Sequence, residues 1–259
     1  LVFGERIGRA NNHNQTSGLP TTTSSGDIDA ETGVESIHVL TQVFAFKELR
    51  IDNLGFVSRL PEESTQDLGR LTIEDPNEER LSTAEVFRSC ASSLQFLRIC
   101  DCRKLKSLCG GGIEHLTCLQ TLELRDCKEL ELEDEGDNGT PWNCLHNLLS
   151  LYLWTLPRVA NLPKGIQFLT ALHSLYISDC SSLRGLPEWL GCLSSLRSLS
   201  LCDCNELKSL PEAMRDLTSL TRLDIVQCHS LNDRCRGPDG EDWPKIRHIS
   251  HFRLQRQWI

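Results

Sequence analysis

The stretch Leu172–Pro187 reads L-H-S-L-Y-I-S-D-C-S-S-L-R-G-L-P, and the stretch Leu196–Pro211 repeats it as L-R-S-L-S-L-C-D-C-N-E-L-K-S-L-P. The two stretches start 24 residues apart, and Leu148 and Leu220 extend the same spacing on either side. Self-similarity at a fixed period of this size predicts a repeat architecture, in which one supersecondary unit stacks on the next. Such a stack offers a long binding face, so the search for function turns towards recognition.

The template L-x-x-L-x-L-x-x-C-x-x-L-x-x-L-P can be followed through residues 34–232 as about eight rungs. Their first apolar residues are Phe46, Leu68, Leu94, Leu119, Leu148, Leu172, Leu196 and Leu220. Val34, Ile37 and Val39 have the spacing of a degenerate earlier rung. The longer spacings coincide with insertions at Gly110–Gly112 and at 133–139, which we expect to lie in surface loops.

Outside the repeats, the chain has two further parts. Residues 1–33 are polar and of low complexity, and we predict a disordered linker or insertion there, because they cannot bury enough apolar surface to offset the entropy of ordering. Residues 233–259 are predicted to form a C-terminal cap, since a repeat array needs a polar cover over its last rung. In this cap, we expect Trp243, Pro244, Ile246 and Ile249 to fold over Leu223 and Ile225. We also expect the chain to be part of a longer protein.

Each rung has two halves with different periods. In Leu175-Tyr176-Ile177 the apolar residues alternate, which is typical of a strand with one buried face. After Pro187 the apolar residues Leu190 and Leu193 recur at helical spacing, and proline suits the start of such a turn. The sequence therefore predicts an α/β repeat, with a parallel sheet on the concave face and short helices or turns on the convex face of a curved solenoid.

Composition limits the partners of this chain. The 259 residues carry a formal net charge of −9, which argues against nucleic acid as a partner. No run approaches 18 apolar residues, so we predict no membrane span. The 13 cysteines are odd in number and five of them occupy one repeat position, which indicates a reducing compartment. We therefore expect a cytoplasmic location, with nuclear or peripheral-membrane placement only through a larger parent protein.

One cysteine column is the most regular chemical feature. It consists of Cys102, Cys127, Cys180, Cys204 and Cys228. A free thiol is a small hydrophobe with a weak donor, so we expect these residues to fill the corner where each strand ends and to touch a neighbouring carbonyl. Redox switching and metal binding are the alternative roles, the latter also for the Cys-x-Cys pairs that begin at Cys100 and Cys202.

Two other groups of polar residues have structural interpretations. The acidic segment 129–137 is expected to be a solvated insertion, with calcium binding or an electrostatic contact as alternatives. His248, His251 and Asp242 are expected to belong to the cap. The sequence contains no G-x-S-x-G, no H-E-x-x-H and no G-x-x-x-x-G-K-[ST] motif, so we expect no enzyme activity, no metal and no cofactor in this chain.

The candidate binding residues are those that point outward between the buried residues of each strand. Alternation predicts that Arg98, Glu123, Tyr152 and Tyr176 lie in one outward row, and that further outward residues flank it. The candidate protein-binding residues on the concave face are Arg98, Glu123, Arg125, Tyr152, Trp154, Tyr176, Arg197 and Arg222. Trp, Tyr and Arg are enriched at interface hot spots. The alternative is that these are only tolerated surface residues.

The pattern resembles the leucine-rich-repeat family, and more closely the C-terminal repeat region of plant intracellular nucleotide-binding, leucine-rich-repeat disease resistance proteins. Three features carry this resemblance: the Asp-Cys pairs such as Asp179-Cys180, the Leu-Pro opening of the convex segment, and the tail Gly240–Ile249 with the phrase G-E-D-W-P-K-I-R-H-I. The resemblance implies recognition of a pathogen effector or of a host protein that the effector modifies. It also implies contact with the nucleotide-binding domain of the parent protein, where ATP or ADP would be bound.

A second hypothesis is a substrate-recognition subunit of a ubiquitin ligase, which also uses cysteine-bearing repeats. Those repeats usually carry longer helices, and the Leu-Pro openings fit them poorly.

Overall fold

A computed structural model describes residues 2–3, 46–52, 60, 62–74, 78–132 and 142–255. Within these residues, ten parallel strands form one sheet whose spatial order is the sequence order. The strands are β1 (Val2–Phe3), β2 (Glu48–Ile51), β3 (Arg70–Glu74), β4 (Phe96–Cys100), β5 (Thr121–Arg125), β6 (Ser150–Trp154), β7 (Ser174–Ser178), β8 (Ser198–Cys202), β9 (Arg222–Val226) and β10 (His251–Gln255). Each of the eight predicted rungs supplies one strand, β2 to β9, so the predicted leucine-rich-repeat solenoid is confirmed.

Two columns of apolar side chains hold the strands together. Leu151, Leu175 and Leu199 are direct register neighbours on β6, β7 and β8, and all are at most 1% exposed. The second column continues two residues later in each strand, for example at Ile177 and Leu201. Because parallel strands lie about 4.8 Å apart, each leucine packs on the matching residue of the next rung. The core is therefore continuous along the stack.

The returning half of each rung is a short helical segment, most often a 3₁₀ helix. The 3₁₀ helices are Ile113–His115, Trp142–Cys144, Lys164–Phe168, Glu188–Cys192 and Glu212–Asp216, and the α-helices are α1 (Glu62–Thr65), α2 (Ala84–Ser89), α3 (His229–Arg234) and α4 (Trp243–Ile246). Pro163, Pro187 and Pro211 directly precede three of them with φ near the value that the pyrrolidine ring imposes. The prediction that proline opens the convex segment is confirmed.

The residue after each of the six strands β4 to β9 adopts a left-handed backbone conformation. This position is occupied by Asp101, Asp126, Thr155, Asp179, Asp203 and Gln227, with φ between 51° and 58°. The backbone N–H of Asp179 donates to the carbonyl of Cys202 on the next strand at 3.0 Å, and Asp203 donates to Val226 in the same way at 2.9 Å. Aspartate tolerates this conformation better than most residues because its short side chain can hydrogen-bond locally. This explains why aspartate precedes the column cysteine in four rungs.

The cysteine column has the structural role expected from the sequence. All 13 cysteines are free thiols, and the five column residues are fully buried. The Cys228 thiol donates to the carbonyl of Leu201 at 3.4 Å, and the Cys180 thiol points at Leu153 of the preceding strand. Burial raises the pKa of Cys180 to about 12, so its thiol is neutral at physiological pH. A buried neutral thiol is a filler and a weak donor, not a nucleophile.

The first of the two predicted insertions, Gly110–Gly112, lies within the described residues. Gly110 and Gly112 have φ of 77° and 88°, and a Cβ on Gly112 would lie 2.6 Å from the Cα of Ala84. This turn therefore accommodates the extra residue, as predicted. Three predicted features lie outside the described residues: the insertion at 133–139, the degenerate rung at 34–39 and the linker at 1–33. Within the linker only Val2 and Phe3 are described, and they pair with β2.

The sheet continues beyond residue 232. Strand β10 pairs in parallel with β9, so that Phe252 lies beside Leu223, and Leu254 beside Ile225. In the predicted cap, other residues were expected over Leu223 and Ile225; instead, a further strand occupies that edge. The sequence contains a signal for this additional strand, since Ile249, Phe252 and Leu254 have the L-x-x-L-x-L spacing.

The segment between β9 and β10 is held by one buried carboxylate. Asp242 is fully buried, accepts a hydrogen bond from the backbone N–H of Leu210 at 3.0 Å, and pairs with Arg234 at 3.0 Å and Lys245 at 2.9 Å. Burial alone would raise the pKa of Asp242, but these hydrogen bonds outweigh it and leave the pKa below its ordinary value. The phrase G-E-D-W-P-K-I therefore ties the end of the chain to the last two rungs.

The inward and outward assignment predicts a contrast between neighbouring residues. Leu199 is 0% exposed and Ser198 is partly exposed. Replacement of Leu199 by alanine removes buried methyl groups and leaves a cavity, so Leu199→Ala should lower the free energy of unfolding by about 2–5 kcal/mol. Ser198→Ala should change it by less than about 0.5 kcal/mol. Urea unfolding followed by circular dichroism measures both, and equal losses would contradict the assignment.

The left-handed column predicts a dependence on side-chain type at an exposed position. Asp179→Ala should lower the free energy of unfolding by about 1 kcal/mol, because alanine is strained at φ 52°. Asp179→Asn should leave it nearly unchanged, since asparagine tolerates the same conformation. Thermal and urea unfolding of the two variants provide the comparison. If alanine and asparagine behave alike, backbone strain is not what selects aspartate here.

The buried carboxylate predicts a pH-dependent contribution to stability. Because the pKa of Asp242 is lowered by folding, its contribution is fully present above the unfolded value of about 3.9 and is lost as the pH falls through the folded value. Asp242→Asn should cost about 2 kcal/mol at pH 7, with a smaller difference from wild type below about pH 4. Glu241→Gln, whose carboxylate is 73% exposed, is the control and should cost less than about 1 kcal/mol. A cost that stays constant down to pH 3 would argue against this assignment.

Candidate binding face

The concave face is formed by the first, third and fifth residues of each strand. The middle row runs in register through Arg50, Thr72, Arg98, Glu123, Tyr152, Tyr176, Ser200, Asp224 and Arg253. The row predicted from alternation is therefore confirmed as a geometric feature. Since leucines on both sides of it point into the core, these side chains are left to solvent or to a partner.

Three aromatic side chains form a contiguous cluster at the middle of this face. The ring centroids of Tyr152 and Trp154 are 5.8 Å apart, those of Tyr152 and Tyr176 are 6.1 Å apart, and those of Trp154 and Tyr176 are 5.5 Å apart. Trp154 packs on each tyrosine edge-to-face, the arrangement that the ring quadrupoles favour. We call Tyr152, Trp154 and Tyr176 the aromatic cluster.

The environment of Tyr176 and Trp154 fixes the character of the cluster. Partial burial raises the pKa of Tyr176, and a hydrogen bond with the thiol of Cys202 raises it further, so the phenol is neutral. The indole N–H of Trp154 is enclosed and meets no hydrogen-bond acceptor among the described residues. The orientation of the Trp154 ring therefore depends on ring packing.

Arg125 completes the cluster on the side of β5. Its guanidinium carbon lies 5.4 Å from the Trp154 ring centroid, and its Nε donates to the carboxylate of Asp126 at 2.9 Å. A guanidinium over an indole face is a favourable cation–π arrangement. Four of the eight predicted binding residues, Arg125 and the aromatic cluster, are thus brought together.

The other four predicted residues lie apart from the cluster. Arg98 and Glu123 form an ion pair with a 2.5 Å contact, and Glu123 is only 8% exposed. Arg222 pairs with Asp224 at 2.8 Å on β9. Arg197 is exposed just before β8, three residues ahead of the Ser200 that pairs with Tyr176. The predicted set is therefore one cluster, two ion pairs that neutralise their own charges, and the exposed Arg197.

One aromatic residue of this face was absent from the predicted set. Phe96 is the first residue of β4 and lies under two guanidinium groups, those of Arg70 at 3.9 Å and Arg98 at 5.5 Å. Alternation in Phe96-Leu97-Arg98-Ile99 would have identified it, since Leu97 and Ile99 are buried and Phe96 shares the outward side of the strand with Arg98.

The same face contains one group of metal-ligand types. Glu74, Cys100 and Asp101 each place one ligand atom within 4.8 Å of the others. Arg50 already pairs with Glu74 there, and burial together with the two carboxylates raises the pKa of Cys100 to about 12. Structural zinc sites use four convergent ligands, with cysteine as thiolate. A guanidinium thus occupies the position of the cation, and this group does not fit a metal centre.

The fold and this face define the class of protein. The chain is a leucine-rich-repeat solenoid that presents an ordered row of aromatic and charged side chains on its concave sheet. Two family models match it: "Plant disease resistance protein RPS2-like, leucine-rich repeats" over residues 64–188, and "R13L1/DRL21 LRRs" over residues 166–228. The chain therefore belongs to the family formed by the leucine-rich-repeat regions of plant disease resistance proteins, as the resemblance predicted. No curated protein sequence matches it significantly.

A solved leucine-rich-repeat structure supports the fold. The leucine-rich repeat domain of the type III effector XopL is 21% identical, with a TM-score of 0.54, and the match covers 86% of this chain and 81% of that domain. The plant peptide hormone receptor RGFR1, solved in complex with RGF2, is 16% identical with a TM-score of 0.45, and the match covers 82% of this chain and 37% of the receptor. No helix among the described residues combines the length and the apolar character needed to cross a bilayer.

Proposed function

We propose that this chain is the protein-recognition module of a plant immune receptor and that its concave face binds a pathogen effector, or a host protein that such an effector modifies. The observation that carries the proposal is the aromatic cluster with Arg125, which is presented on a sheet that belongs to the resistance-protein repeat class. Trp, Tyr and Arg are the residues most enriched at interface hot spots.

The rigidity of the site supports a binding role. Tyr152 and Tyr176 are direct register neighbours, and Leu151 and Leu175 anchor the same strands in the core. A partner therefore meets side chains whose backbone is already ordered. Preorganisation reduces the entropy lost on association, so more of the contact energy appears as affinity.

The proposal includes regulation of the parent protein. In the resistance-protein class, an upstream nucleotide-binding domain would bind ATP or ADP, and this chain would hold that domain inactive through an intramolecular contact. A ligand on the concave face shifts such an equilibrium only by its differential affinity for the two states. We propose no cofactor and no catalytic step for this chain itself, and a cytoplasmic site of action.

The convex segments bear on the alternative hypothesis. The 3₁₀ helices Lys164–Phe168, Glu188–Cys192 and Glu212–Asp216 each have five residues. A ubiquitin-ligase substrate subunit was expected to carry longer helices, so these short segments favour the immune-receptor proposal.

Aromatic side chains on opposite faces provide a matched test. Trp154 belongs to the aromatic cluster, whereas Phe168 is 49% exposed on a convex 3₁₀ helix. The full-length parent is expressed in leaf tissue with a panel of pathogen effectors, and cell death is scored by ion leakage. Trp154→Ala should abolish the response to the recognised effector, because truncation of an interface hot spot costs at least about 2 kcal/mol, a roughly thirtyfold loss of affinity.

Phe168→Ala is the control and should respond like wild type. Protein levels of both variants are compared by immunoblot, so that a loss of accumulation is recognised. A Trp154→Ala receptor that accumulates and still responds fully would remove the concave cluster from recognition.

A further inference from the structure

We propose that the aromatic cluster binds an arginine or lysine side chain of the protein partner, and that the carboxylate of Asp179 pairs with that side chain. This deepens the proposed function, on which it rests, by naming the chemistry of the partner.

Strands β6, β7 and β8 present no charged side chain at their outward positions. Their outward residues are Ser150, Tyr152 and Trp154 on β6, Ser174, Tyr176 and Ser178 on β7, and Ser198, Ser200 and Cys202 on β8. Of the predicted arginines beside them, Arg125 pairs with Asp126 and Arg222 with Asp224, and the exposed Arg197 lies just before β8. The outward positions of these three strands therefore form a neutral surface of ring faces and hydroxyl groups.

Elsewhere on the same face, aromatic rings already hold guanidinium groups. The described residues contain three cation–π contacts, all of them on the concave face: Arg70 and Arg98 over Phe96, and Arg125 over Trp154. In the described structure no such contact covers the rings of Tyr152 and Tyr176. Because the face of an aromatic ring carries negative electrostatic potential, these two rings are the places where a further cation gains most.

The residue after β7 supplies the counter-charge. Asp179 occupies the same repeat position as Asp126, next to the register partner of Trp154, and its side chain is exposed. Asp126 is paired with the arginine directly before it, whereas the residue before Asp179 is Ser178. Within the described part of the chain, no cation pairs with the Asp179 carboxylate. A partner arginine at this point would complete the arrangement that Arg125 makes two strands away.

A second carboxylate lies near the cluster. The carboxylate of Asp203, after β8, contributes to the raised pKa of the Tyr176 phenol. The whole chain carries a formal charge of −9. A net negative protein attracts cationic partners and repels acidic ones. An acidic segment would meet repulsion at Asp179 without gaining a new ion pair.

Peptide selection tests the proposal while the natural partner is still unidentified. A library of random twelve-residue peptides is displayed on phage and selected on the whole 259-residue chain, with the Tyr152→Ala/Trp154→Ala double variant used for counter-selection. Retained peptides should be enriched in arginine or lysine. Replacement of the critical arginine by citrulline, which keeps the shape and removes the charge, should weaken binding about five- to thirtyfold in isothermal titration calorimetry.

The role of Asp179 is tested by coupling. In the Asp179→Asn variant, the ratio between the arginine and citrulline peptides should shrink to about threefold or less. Asp101→Asn is the matched control: it changes the same repeat position three strands away and should leave the ratio as in wild type. Both are nearly isosteric replacements, and thermal unfolding shows whether each variant is folded before binding is measured.

The possible results of these binding measurements separate the cation proposal from the proposed function. Peptides that require the aromatic cluster but bind equally well with citrulline would overturn the cation proposal and leave the proposed function standing. An unchanged ratio in Asp179→Asn would remove Asp179 from the contact. If no peptide is retained, or if every selected peptide binds the double variant as well as the wild type, both the cation proposal and the concave cluster as a recognition site are overturned.

Discussion

The in-register stacking of matching leucines is the constraint on which the rest of this structure depends. Leu151, Leu175 and Leu199 are neighbours across three strands, and each is buried by the rung on either side of it. No rung could bury its apolar face alone, so stability arises from the interfaces between rungs. The parallel hydrogen-bond ladder follows the same register, and the left-handed residue after each of β4 to β9 extends it by one further bond.

The in-register stacking of leucines also creates the candidate binding face. Because the strand period is two, the burial of two residues in each strand leaves the residue between them on the opposite side of the sheet. Tyr152 and Tyr176 are therefore held at about the strand spacing, whatever their side chains contribute to stability. Such positions can therefore vary with little cost to the fold. The same logic places ion pairs, such as Arg98–Glu123, beside the cluster without disturbing the stack.

The C-terminal part of the described sheet is built differently from its middle. At the C-terminal end, strand β10 covers the edge of β9, and the buried carboxylate of Asp242 joins Arg234, Lys245 and the backbone of Leu210. A buried charge is tolerated only when it is paired and hydrogen-bonded, and here both conditions are met. The polar phrase around Trp243 is thus a connector to one more strand, not only a lid over the last leucines.

The sequence by itself determined the period, the eight strands of the repeats, the buried columns and the outward row, because each follows from apolar spacing that only one packing can satisfy. It also carried signals for Phe96 and for β10 in the same spacing, although the surrounding cap composition obscured the latter. Only the tertiary structure decided that Arg125 stacks on Trp154, that Arg98 is neutralised by Glu123, and that Asp179 meets no cation among the described residues. Side chains on neighbouring strands come from residues about 24 apart, and their contacts depend on rotamers and register, which no local pattern encodes.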